Sequence, residues 1–199
     1  MKHRSIAFLL AGLLLLFAGC AKAPITQPEQ AVGLPGTLTV SFDFEKQSGY
    51  ASNQFAVWIG DMGGQLIKTL CATKFTASGG YKNRPGSIST WVGKATGVSD
   101  FDAVASATPK SGAVSYTWDL TDEAGNAVPP GKYMFLVEGS LRWENRVIYW
   151  GEIEVGGKGA TAEAERKFTF VGEGNQPELD EDSPECGMIT NVRAEYHGG

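Results

Sequence analysis

Thr108 is the side chain from which this sequence offers the most chemistry. Its hydroxyl closes the run Asp102-Ala103-Val104-Ala105-Ser106-Ala107-Thr108 and is followed by Pro109-Lys110. The neighbours Ala103, Ala105, Ser106 and Ala107 are small, so a second enzyme's active site would meet little bulk around that nucleophile. Other reactive groups are scarce. The two histidines are His3 and His197, which leaves the body of the chain without a histidine from which to build a triad or a zinc site. Glu152 and Glu154 alternate with apolar residues and fall on the wet face of a strand, where solvation accounts for them better than paired acid–base work. The stretch Glu173 to Glu185 holds Glu178, Asp180, Glu181 and Asp182, without the alternating ligands and central glycine of a calcium loop. It reads as a solvated loop. Trp91 shares the segment of Thr108, and Trp58 and Trp150 fall on outward strand positions; their indoles offer flat faces for a planar ring, a sugar or a partner protein.

These residues have to be positioned by strands. Thr37 to Glu45 alternates strictly, with Leu38, Val40, Phe42 and Phe44 on one face, as expected of a strand with one wet side. Asn53 to Gly60 repeats the pattern, and Asp61-Met62-Gly63-Gly64 turns it into a partner from Gln65 to Thr73, giving a hairpin. Ala113 to Leu120, Lys132 to Ser140, Arg146 to Val155, Ala164 to Val171 and Met188 to Tyr196 pass the same test. About seven or eight short strands with frequent turn signals predict an all-β, immunoglobulin-like β-sandwich spanning 36–199 as one domain. The segment from Ala77 to Lys110 lacks two-residue alternation and reads as one long irregular loop, a place where function concentrates.

The first nineteen residues carry a basic start (Lys2, His3, Arg4) and an apolar run from Ile6 to Phe17 that is short for a bilayer span, the pattern of an export signal. Leu16-Phe17-Ala18-Gly19-Cys20 resembles the bacterial lipobox, which implies cleavage before Cys20 and lipid on its sulfur. Ala21, where an acidic residue would retain the protein at the inner membrane, points to a lipid-anchored periplasmic protein of the outer membrane. Residues 20–35 include three prolines and read as a tether. In an oxidising compartment the remaining cysteines, Cys71 and Cys186, are expected to form a disulfide. The formal net charge is −5, and a nucleic-acid partner is not expected of so acidic a chain.

Arg84-Pro85, Trp91-Val92, Asp102-Ala103-Val104, Ala107-Thr108-Pro109-Lys110, Tyr116-Thr117-Trp118-Asp119 and Val128-Pro129-Pro130-Gly131-Lys132-Tyr133 together resemble the bacterial periplasmic family called domain of unknown function 2271, from about Gly36 to Tyr196. The part from Trp118 to Tyr133 also resembles the hairpin of flagellar-hook-cap immunoglobulin-like domains, where Trp118 would fill the core and Asp119 cap the turn. The family resemblance implies an extracytoplasmic protein in the company of membrane reductases and a flavin transferase. Asp102 to Thr108 is similar to the acceptor motif of covalently flavinylated periplasmic proteins, with Thr108 at the acceptor and Asp102 and Ala107 matching, while Ala105 and Ser106 stand where that motif has Ser/Thr and Gly. The expectation is a non-catalytic interaction or accessory module of an envelope redox system. An electron carrier with covalent FMN on Thr108, supported by Asp102, Ser106 and Trp91, is the alternative. A carbohydrate-binding sandwich using Trp58, Trp91 and Trp150 is a third reading.

Overall fold

The computed structural model describes residues 33–49, 52–95, 104–172 and 178–199, all within one compact unit, Ala31–Gly199. The expected export signal and most of the expected tether, with Cys20, lie outside the described residues. Alternation produces the strands as expected: β1 (Gly36–Phe44), β2 (Gln54–Gly60), β3 (Leu66–Thr73), β5 (Gly112–Trp118), β6 (Gly131–Arg142), β7 (Asn145–Val155), β9 (Glu165–Thr169) and β10 (Ile189–Gly198). Two more were not anticipated. β4 is the two-residue strand Ala105–Ser106, and β8 is Gly159–Glu163, an edge strand that places only Ala160 and Ala162 inward.

The strands form two packed sheets, ordered β5-β1-β10-β8 and β4-β3-β2-β6-β7-β9. Pairing is antiparallel except between β3 and β4. The chain leaves one sheet as β8, turns at Ala164, and enters the other as β9, so the single strand expected from Ala164 to Val171 is the second half of a sheet-switching unit. Leu38, Val40, Phe42 and Phe44 of β1 meet Phe55, Val57, Phe135, Val137, Tyr149 and Ile153 of the facing sheet in the core. Such interdigitation of two apolar faces supplies most of a sandwich's stability.

Trp118 packs edge-to-face on Tyr133 with centroids 5.1 Å apart, and its Nε1 donates to the Thr121 carbonyl at 2.7 Å. Asp119 Oδ1 accepts the Thr121 hydroxyl at 2.7 Å. Trp118 fills the core and Asp119 closes the turn, as the hairpin motif implies. Gly139 allows another close approach: a Cβ there would stand 2.7 Å from Met188 Cε and Ile189 Cδ1.

The register separates two ends of the sandwich. At the tether end Gly36 pairs with Gly198 and Gly131 with Val155. At the loop end Phe44 pairs with Ile189, Gln54 with Ser140 and Arg146 with Thr169. The connections after β1, β3, β6 and β9 all emerge there.

Candidate functional site

The segment expected as one long loop is largely a built cap. It contains α1 (Lys74–Ala77), a 3-10 turn at Gly80–Lys82, α2 (Ser89–Lys94) and β4. Every residue of β2 is buried, on both faces. The outer face is covered because Ala56, Trp58 and Ala72 of the sheet pack with Ala77, Ile88, Trp91 and Ala95 of the cap as a second apolar cluster. The indole of Trp91 is fully buried and its Nε1 donates to Thr69 Oγ1 at 3.2 Å.

A buried polar layer latches the cap to the sheet. Glu138 of β6 points outward from the sandwich yet is 0% exposed, and its carboxylate accepts the backbone N–H groups of Thr90 at 3.1 Å and Trp91 at 2.9 Å. It thereby caps the first turn of α2, whose preceding residue, Ile88, has no side-chain cap. Burial pushes the Glu138 carboxyl above the ordinary glutamate range, partly offset by these two N–H groups and by Arg146, whose Nε lies 4.0 Å away. Ser140 Oγ accepts the Ile88 N–H at 3.0 Å. Ile88 itself sits at φ 42°, an αL conformation that a β-branched residue adopts at a cost of about 1–3 kcal/mol. Gln54, Thr73 and Ser87 complete the layer, with the Thr73 hydroxyl donating to Gln54 Oε1 at 2.6 Å and Ser140 to Ser87 at 3.2 Å. The sequence carried a sign of this. Met134 and Leu136 share the outward face with Glu138, so that side of β6 is apolar, as on strands covered on both faces.

Beyond the latch the loop end is open. Trp143, at the tip of the β6–β7 hairpin with φ 51°, is 45% exposed. The Arg84 guanidinium lies between it and Phe75, 5.6 Å from one ring centroid and 5.4 Å from the other. A Cβ on Gly86 would come within 2.6 Å of Glu144, so the cap is pressed against the hairpin tip. A shallow hollow of about 390 Å³ lies alongside, lined by Lys74, Phe75, Ser78, Gly79, Gly80 and Asn83. Phe170 and Val171 are exposed on the other side of the tip, where the Val171 N–H donates to Asn145 Oδ1 at 2.7 Å.

The residues singled out in sequence divide. Asp102 lies outside the described residues. Ser106, paired through β4 with Thr73, turns its hydroxyl to Cys71, with Oγ and Sγ 2.9 Å apart. Thr108 lies past the end of β4, at the loop end and half-buried, with a long hydrogen bond of 3.5 Å from its hydroxyl to the Asn53 carbonyl. Trp91 does not join Thr108 as a flavin platform, because both faces of its ring are taken up in the cap. The sugar platform is corrected too: Trp58 and Trp91 are buried and Trp150 is half-buried, so these three indoles present no common exposed face.

The Cys71–Cys186 disulfide is also corrected, since both cysteines are free. Cys71 stands on β3, whereas Cys186 lies in the turn Pro184–Met188 and has Arg166 of β9 among its charged neighbours. That turn packs against β6, with β2 between it and β3. Each thiol is satisfied separately, Cys186 by donating to the Asp180 carbonyl at 3.1 Å. Burial raises the Cys71 pKa, against hydrogen bonds from Ser106 and Tyr116 that lower it. Burial, then the carboxylates of Glu185, Asp180 and Glu181, push Cys186 up to about 11. Among the described residues no cluster of three metal-ligating side chains occurs, and no helix is long and apolar enough to cross a membrane.

The arrangement defines a class of protein: a two-sheet β-sandwich with one face roofed by an inserted, latched cap. The chain belongs to the family domain of unknown function 2271 (DUF2271), described as predicted periplasmic protein, whose model matches residues 36–169. The match covers β1 to β9 and stops before β10, although β10 lies inside the four-stranded sheet. Searches of curated proteins and of solved structures return no match.

Proposed function

We propose that the protein is a non-catalytic interaction module of the bacterial envelope, anchored through lipid on Cys20, which presents the loop end of its sandwich to a protein partner. The observation that carries this reading is the placement of exposed apolar side chains. Of the five large ones among the described residues, Phe75, Trp143, Phe170 and Val171 lie at the loop end, and only Met62 lies at the tether end. Aromatic side chains held by rigid backbone and flanked by charge are the composition of protein interfaces. A photo-crosslinking amino acid at position 143 in living cells is expected to give a discrete adduct, whereas the same probe at position 62 gives none. Equal labelling at both positions, or none at either, overturns the reading.

A second reading, an electron carrier, is favoured by the position of Thr108. Its hydroxyl stands clear of the strand ladders, held by one long hydrogen bond. In that chemistry the Thr108 Oγ1 attacks the FMN-side phosphorus of FAD, a phosphoester to FMN forms, AMP leaves, and the hydroxyl proton passes to the transferase's base. A membrane reductase would then supply electrons at the same end of the molecule. Co-expression with a periplasmic flavin transferase should add one FMN to the intact mass and none in Thr108→Val. An unchanged wild-type mass, where a control acceptor is labelled, removes this reading.

A further inference from the structure

We propose that the loop end is self-complementary and pairs with the loop end of a second copy of this chain about a two-fold axis passing near Trp143; this rests on the reading of that end as a protein-docking surface. Charge is divided across the hairpin tip. On the cap side, residues 74–84 include Lys74, Lys82 and Arg84 and no acidic residue, in a chain whose net charge is −5. None of these three cations forms an ion pair among the described residues, and Arg84 is engaged by aromatic rings instead. On the other side, Glu178, Glu181 and Asp182 are exposed and likewise unpaired among the described residues. The seam between the halves is marked by Arg142, next to Trp143, whose guanidinium lies 3.9 Å from Glu185.

Apart from Glu144, whose side chain lies against Gly86 of the cap, the exposed acidic residues of this end stand across the protruding tip from the cap's cations and form no ion pair with them. A two-fold axis at the tip sets each basic half against the partner's acidic half, the isologous arrangement of most dimers. Charges at such a rim steer and orient association while contributing little affinity singly. The affinity then comes from the centre, where Trp143 and Phe75 are exposed and stiffened by Arg84 between them. A partner of another kind would need to bring its own acidic patch; in the second copy that patch is already present.

The test uses sedimentation equilibrium of the full chain with Cys20→Ala. A concentration-dependent dimer is expected that weakens as salt is raised. Lys82→Glu with Arg84→Glu should raise the dissociation constant at least tenfold, and Glu181→Lys with Asp182→Lys should do the same. An equimolar mixture of the two charge-reversed chains should recover a dimer, which loss of fold in either could not produce. Trp143→Ala should weaken pairing and Met62→Ala should leave it unchanged. A chain that stays monomeric up to millimolar concentration overturns the proposal, as does a dimer indifferent to both reversals. A position-143 crosslink in cells to a protein other than this chain, with a monomer in solution, ends the self-pairing while leaving the interaction-module reading intact.

Discussion

Glu138 shows how far a single side chain's role depends on what covers it. In sequence it occupies an outward strand position, where a glutamate ordinarily faces water; in the fold it is fully buried and holds the first turn of α2. Because burial raises its folded pKa above the unfolded value, the native state binds more protons than the unfolded state between the two. Its contribution to stability is therefore greatest at and below the ordinary glutamate pKa, and is lost as pH rises through the folded value. Glu138→Gln removes this titration and keeps one acceptor for the two N–H groups. Denaturant unfolding across pH 4 to 8 should show the wild type losing stability relative to Glu138→Gln as pH rises. Parallel curves would mean that the carboxyl is solvated in both states. The two N–H groups that favour the carboxylate are already part of the folded pKa, so they reduce the size of this trend without changing its sign, and the slope of the difference is the diagnostic quantity. Thr108 and Cys71 are as instructive. Small neighbours suggest an accessible hydroxyl at Thr108, which the fold leaves half-buried past the end of β4; the compartment suggests a disulfide at Cys71, and both thiols are free.

Strands were legible wherever one face is dry and the other wet, as in β1, β5 and β7, because a period of two in hydrophobicity has one structural interpretation. β8 left no such signal, since an edge strand with only Ala160 and Ala162 inward resembles a glycine-flanked turn. The cap was invisible for a different reason. Its helices have four and six residues, too short to stand alone or to display a helical period, and they exist because the outer face of β2 and β6 holds them. Trp91 is the member that joins both sides, so Trp91→Ala should cost about 3–5 kcal/mol, on the order of 10 °C in melting temperature for a chain of this size. Trp150→Ala, at a half-buried position, should cost distinctly less. Hydrogen exchange would localise the loss: in Trp91→Ala the amides of α2 should exchange faster while those of β1 and β10 keep their protection. Uniform loss across both sheets would mean that the cap is an integral part of the core and not a separately latched layer.

At the scale of the whole molecule, the tether joins β1 at Gly36, beside Gly198, while the aromatic and charged surface lies at the other end. β7 has 11 residues, and at about 3.3 Å per residue the two ends are roughly 35 Å apart. A lipid on Cys20 would thus hold the sandwich by the end that carries Met62 and leave Trp143 and Arg84 facing the periplasm, where a partner can reach them. On the proposed reading the anchor and the recognition surface are separate, so that removing one should spare the other. Cys20→Ala is expected to abolish palmitate labelling and move the protein from the membrane to the soluble fraction without changing its melting temperature. In the lipidated protein, reconstituted in vesicles with an acceptor dye in the headgroup region, a donor at position 62 should transfer energy more efficiently than one at position 143. Residues 20–35 would span roughly 50–60 Å if fully extended, further than the sandwich is long, which narrows the difference without reversing its sign while the loop end is free of lipid contact. Stronger transfer from position 143 would place the aromatic end against the bilayer and make Phe75, Trp143 and the cap's cations a membrane-binding surface in place of a protein-binding one.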